Sequence, residues 1–168
     1  MSKQRLLPVS LLVLSALSAP SFSDEAKPKL FTELQAARGK IAVTTACALC
    51  HLPNLHGRVG APDESPDEDT LPASYRKFLA KGTGYVPPLA GDEFMAKWKG
   101  KSVAELADQL GGAMKSFPPS GMDETTALAV TAYVLKLNGA SAGPTELTSP
   151  PNLPVAAVVE SQKGEAAH

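Results

Sequence analysis

Two cysteines and a histidine at one spot constrain this chain more than anything else in it. Cys47-Ala48-Leu49-Cys50-His51 spells C-x-x-C-H, and the 168 residues contain no other cysteine. The spacing has a chemical reason. Two thiols separated by two residues can both reach one edge of a porphyrin and add across its two vinyl groups. The histidine that follows then lies beneath the metal and offers an imidazole nitrogen. The pattern is the attachment signature of a c-type haem.

Other readings of the pair find less support. A redox C-x-x-C needs a thioredoxin-like βαβ surround, and no parallel-sheet pattern flanks this one. A zinc site needs further ligands at short spacing, whereas only His56 and His168 remain. A disulfide across two residues is strained.

The N-terminus reads as an export signal. Lys3 and Arg5 precede an apolar run from Leu6 to Ala19, too short for a membrane span. Cleavage is expected after Ser23, with Ser21 and Ser23 as the small residues; the alternatives are a cut after Ala19 or an uncleaved anchor. Loss of residues 1–23 removes two of the 16 positive charges and none of the 17 negative ones, which leaves the mature chain near minus three. That balance argues against nucleic acid as a partner. What remains suffices for one small domain. A buried porphyrin would add the apolar surface that small cores lack.

Past a polar lead-in at 24–29, the pattern predicts a helix from Leu30 to about Ala46. Its buried stripe is expected to be Leu30, Leu34, Ala37, Ile41 and Thr45. Gly39 inside it costs about 1 kcal/mol relative to alanine, which marks close packing against another element. Residues 52–71 read as an acidic, proline-broken surface loop, alternatively a docking patch for a basic partner. Short helices are predicted from Pro72 to Ala80 and from Asp92 to Lys99, with an extended stretch at Gly84–Leu89 between them. Ser102-Val103-Ala104-Glu105 is a capping box. It opens a helix expected to end near Leu110 at Gly111-Gly112, followed by a loop from Ala113 to Gly121. Asp123 starts the last helix, which closes at Leu137 before Asn138-Gly139. The Pro-, Ala-, Gly- and Ser-rich residues 144–168 read as a disordered tail.

The iron's sixth position decides the chemistry. Thioether ligation raises the potential and leaves electron transfer as the function; an open site binds gas or peroxide. Met95, Met114, Met122 and His56 are the candidates. His56 follows the proximal ligand too closely to reach the opposite face, and Met95 lies in a helix where packing is its expected role. Met114 and Met122 flank the same irregular loop. Both stay open, with the Gly-Gly break before Met114 in its favour.

From about Leu30 to Gly143 the chain resembles a class I cytochrome c. Gly39, eight residues before Cys47, sits where that family has the packing glycine of its first helix. Pro87-Pro88-Leu89-Ala90-Gly91 is similar to the loop whose proline carbonyl accepts a hydrogen bond from the proximal imidazole, which implies that role for Pro87. Trp98 matches an indole that hydrogen-bonds a haem propionate. Ala132-Tyr133 matches the aromatic that packs over the first helix. Closest in pattern are cytochromes linked to bacterial pyrroloquinoline-quinone dehydrogenases, whose methionine ligand stands where Met114 stands, usually with proline after it; here Lys115 follows.

The resemblance implies an all-α fold with first and last helices crossing and one haem c, held by Cys47 and Cys50 and ligated by His51 and Met114. It also implies a periplasmic, non-enzymatic carrier, passing one electron at a time from a dehydrogenase to an oxidase or other acceptor, with no membrane span in the mature chain. Lys97, Lys99, Lys101 and Lys115 would then ring the exposed haem edge, or simply be solvated. The other readings are a fixed haem subunit of a dehydrogenase or oxidase complex, and a five-coordinate peroxidase or gas binder.

Overall fold

A computed structural model describes residues 26–57, 73, 86–114 and 122–159. Most of the acidic loop, the Pro72–Ala80 helix and the loop 115–121 lie outside the described residues, as do residues 1–25 and 160–168. The described residues contain helices and no strand: α1 (Glu33–Ala42), a π-type turn (Val43–Cys47), α2 (Ala48–His51), α3 (Gly91–Trp98), α4 (Val103–Met114), α5 (Glu124–Leu137) and α6 (Val155–Val158).

Local sequence explains where the helices begin. The Thr32 hydroxyl accepts from Gln35 N at 3.1 Å and starts α1. The Asp123 carboxylate accepts from Thr126 N at 2.7 Å and starts α5. The capping box of α4 is complete: Glu105 N donates to the Ser102 hydroxyl at 3.1 Å, and Ser102 N donates back to Glu105 Oε2 at 2.8 Å.

α1 crosses α5, and α4 packs beside α5. The crossing is close because Gly39 has no side chain. A Cβ there would overlap the Ala129 carbonyl and lie 3.0 Å from Tyr133 Cβ. This contact overturns the buried stripe expected for α1. The face turned inward carries Phe31, Gln35, Ala36, Gly39 and Val43, while Leu34 and Ile41 are each 65% exposed. The backbone approach that Gly39 permits selects the face, and it outweighs the apolar count of the alternative stripe.

Two other expectations are corrected. The fourth helix does not stop at Gly111-Gly112 but continues to Met114. Gly111 lies against Ala127 of α5, where an added Cβ would be 3.4 Å from the alanine methyl; tertiary packing overrides the poor propensity of two glycines.

Residues 144–159 are also not a disordered tail. They form a strap that closes the core, and Leu147, Val155, Val158 and Val159 are all buried in it. The physical reason is complementarity with the helices' own unpaired groups. The first amides of α4 have no partner within their helix. Val103 N donates to the Leu153 carbonyl at 2.9 Å and Ala104 N to that of Pro151 at 3.1 Å. Val155 N donates to the Lys101 carbonyl at 2.8 Å. At the other end the buried Gln35 amide clasps Leu147: Leu147 N donates to Oε1 at 2.7 Å, and Nε2 donates to the Leu147 carbonyl at 2.9 Å. Lys27 from the polar lead-in reaches the Ala156 and Val159 carbonyls. The domain therefore runs from the lead-in through Val159, beyond the boundary expected at Gly143.

Candidate haem-attachment site

The helix that leads to the cysteines changes pitch before reaching them. Over Val43–Cys47 the chain makes a π-type turn, with Ala48 N donating to the Val43 carbonyl. Thr44 and Thr45 send their hydroxyls to the carbonyls of Lys40, Ile41 and Ala42. Such turns widen a helix by one residue and recur at functional sites. Here the extra residue rotates Cys47–His51 about the axis relative to the Gly39 face. Cys47 is buried, and Cys50 and His51 are half-buried.

Burial pushes the Cys47 thiol up to about 11, with the neighbouring Cys50 adding to the shift. Burial also lowers His51 below the usual histidine range, against the opposing effect of its hydrogen bond to Pro87. That direction favours the neutral imidazole. Its Nδ1–H donates to the Pro87 carbonyl at 2.7 Å, which leaves Nε2 as the nitrogen with a lone pair.

Two loops are knitted together to hold that bond. The chain leaves α2 through Leu52 at φ +66°, a conformation that leucine rarely adopts, and passes Leu55 at φ +60°. Gly57 N donates to the His51 carbonyl at 3.2 Å, and the Leu55 carbonyl accepts from Leu89 N at 2.8 Å and Ala90 N at 3.2 Å. Gly57, at φ +70°, lies flat against the Pro87 peptide; a Cβ there would be 2.7 Å from Pro87 C and Pro88 N. From the other side Asn138, at the end of α5, donates from Nδ2 to the Leu89 carbonyl at 2.9 Å and accepts from Gly91 N at 3.1 Å. Gly57 and Asn138 were not singled out by sequence reasoning. The available signals were a glycine six residues past the histidine and an Asn-Gly helix end.

Trp98 is 5% exposed and stacked on Phe94, with ring centroids 6.3 Å apart. Among the described residues its indole N–H has no acceptor. The ammonium groups of Lys101 and Lys97 lie 4.9 and 5.7 Å from its ring centre. Met95 and Met122 are half-buried against the core. Met114 ends α4, so its backbone is helical and not released by the Gly-Gly pair; its side chain lies outside the described residues. His56 is exposed, and its ring faces Gly91.

The structure thus brings His51 and Pro87 together beside Cys47 and Cys50, and packs Trp98 against Phe94 on α3. A family model described as cytochrome C oxidase, cbb3-type, subunit III matches residues 34–134. The chain belongs to this family of class I c-type cytochromes. No curated protein and no solved structure matches it. As a cytochrome c it binds haem c covalently, transfers electrons and works with redox partners. Its residues fit that group: two cysteines at the attachment spacing and an imidazole with one nitrogen oriented and the other available. Among the described residues of the cytochrome, no helix is long and apolar enough to cross a membrane.

Proposed function

We propose that this cytochrome is an exported, periplasmic single-haem electron carrier, cleaved after Ser23, that links a pyrroloquinoline-quinone dehydrogenase to a terminal acceptor. Bound haem supplies a one-electron Fe(II)/Fe(III) couple. Cys47 and Cys50 hold the porphyrin through thioether bonds. His51 Nε2 is the proximal ligand and Met114 the distal one. Pro87 orients His51 and makes it a stronger donor. The Trp98 indole donates to a propionate, with Lys97 and Lys101 nearby as balancing charge. The observation that carries this reading is the 2.7 Å bond from His51 Nδ1 to the Pro87 carbonyl, because it leaves a single imidazole nitrogen available to a metal.

The test is the optical spectrum of the oxidised and reduced protein with Met114→Ala and Met122→Ala variants. The weak long-wavelength charge-transfer band of iron–thioether ligation is expected in the wild type and in Met122→Ala, and lost in Met114→Ala. Loss in Met122→Ala instead reassigns the ligand. No band in the wild type, with carbon monoxide taken up by the reduced form, makes this a ligand-binding haem protein and refutes the carrier.

A second reading has one observation behind it. The matching family is described as an oxidase subunit, so a fixed place in an oxidoreductase complex is the rival to a diffusing carrier. Co-purification from membranes at low salt decides between them: a stoichiometric complex favours the subunit, a monomeric periplasmic fraction the carrier.

A further inference from the structure

We infer that Asn138 is the positioning residue that sets the His51–Pro87 hydrogen bond and, through it, the reduction potential. The inference rests on the reading of His51 as an iron ligand. It goes beyond that reading by assigning control of the ligand to a side chain beyond the matched span, which ends at residue 134.

Asn138 is buried, and its amide makes three hydrogen bonds. Nδ2 donates to the carbonyls of Leu89 at 2.9 Å and Val134 at 2.7 Å, and Oδ1 accepts from Gly91 N at 3.1 Å. The orientation of the amide is settled by its partners, since two carbonyls need donors and one N–H needs an acceptor. The Leu89–Gly91 segment is held on its opposite side by the Leu55 carbonyl. It is therefore gripped from both sides, two residues beyond Pro87.

What lies between is stiff. Pro87 and Pro88 have fixed φ and no N–H with which to form competing bonds. A displacement at Leu89 is passed to the Pro87 carbonyl with little loss. The other end of the path is equally constrained. Asn138 is the C-cap of α5; α5 is locked to α1 at Gly39; α1 leads through the π-type turn into α2, which ends at His51. Imidazole and carbonyl are thus two ends of one closed circuit of contacts. The Asn138 side chain joins the end of α5 to the proline loop through hydrogen bonds. The Pro87 carbonyl makes the imidazole more electron-rich and favours ferric iron. Loosening the circuit shifts the couple toward ferrous iron and opens the Nδ1 proton to solvent.

The experiment uses the holocytochrome labelled with ¹⁵N-histidine, with Asn138→Ala, the milder Asn138→Ser, and Lys136→Ala. Lys136 lies on the same helix end but pairs with Glu33 rather than the loop. Two quantities are read: solvent exchange of the hyperfine-shifted His51 Nδ1 proton, and the reduction potential. The Asn138 variants should exchange about tenfold faster and favour ferrous iron by about threefold, roughly 28 mV at 59 mV per decade. Lys136→Ala should match the wild type in both. Unchanged exchange and potential in whichever Asn138 variants fold overturns the proposal, as does an equal change in Lys136→Ala. If the wild type shows no hyperfine-shifted histidine proton, it is the ligand assignment that fails, and the proposal falls with it.

Discussion

Replacing Gln35 with leucine should cost this protein more than most surface or core changes of similar size. Gln35 is 3% exposed, and its amide satisfies both the N–H and the carbonyl of Leu147, at 2.7 and 2.9 Å. Leucine fills nearly the same volume, so a cavity is not the main effect. What it leaves behind are a buried donor and a buried acceptor, each costing about 1–3 kcal/mol without a partner. Against this stands about 1–2 kcal/mol from burying an apolar side chain in place of an amide. The net expectation is a loss of about 3 kcal/mol. For a domain of this size that lowers the melting temperature by about 6–12 °C. The assay is thermal unfolding of the holoprotein, followed by circular dichroism, in two backgrounds: the full chain and a chain ending at Gly143. In the shortened chain Leu147 is gone, so the substitution should have little effect or a slight stabilising one. A Gln35→Leu melting point within about 2 °C of wild type in the full chain would refute the reasoning, as would an equal loss in both backgrounds.

Other outcomes follow from backbone geometry and from charge. Gly39→Ala should destabilise by about 2 kcal/mol or more, since overpacking the α1–α5 crossing exceeds the roughly 1 kcal/mol gained in propensity. Gly112→Ala, where no described residue lies within 4 Å of the added methyl, should stabilise by about 1 kcal/mol; paired thermal melts check both. Gly57→Ala forces a positive φ on alanine and pushes against the Pro87 peptide, so it should disturb the His51 environment in the haem spectrum as well as lower the melting point. Hydrogen bonds from Ser102 hold the Glu105 carboxyl below its usual range, and those from Thr126 do the same for Asp123. The folded state thus binds fewer protons, and this stability is present above the ordinary carboxylate range and lost as pH falls through the depressed values. Acid titration of the melting temperature should show a steeper fall in the wild type than in a Glu105→Gln/Asp123→Asn variant.

The features legible in the sequence were those written in a few adjacent residues. The C-x-x-C-H, the Ser102–Glu105 capping box and the Asp123 cap each specify their own local geometry. Gly39 announced a close approach because a mid-helix glycine is otherwise unfavourable. The misread features depend on distant partners. Leu34 and Ile41 form an apolar stripe as good as the real one, and only the position of Ala129 on another helix determines which face turns inward. Residues 144–159 have the composition of a linker, yet their carbonyls meet the open amides of α4, and their four apolar side chains are spaced to reach the core. Asn138 looked like a helix stop; its second role exists only because the Pro87 loop passes within reach.

The strap has a bearing on how the protein is made. Its clasp joins residues 112 positions apart, and Lys27 reaches carbonyls about 130 positions away. Contacts of that sequence separation form late and slowly, because the loop they close must first be found. A chain that appears N-terminus first presents Cys47–His51 before Leu147 or Val155, both buried in the finished core, is available to complete it. During that interval the first helix lacks the packing that the Gln35–Leu147 clasp supplies. If strap closure competes with haem attachment, a circular permutant that presents residues 144–159 first should attach less haem than the natural order.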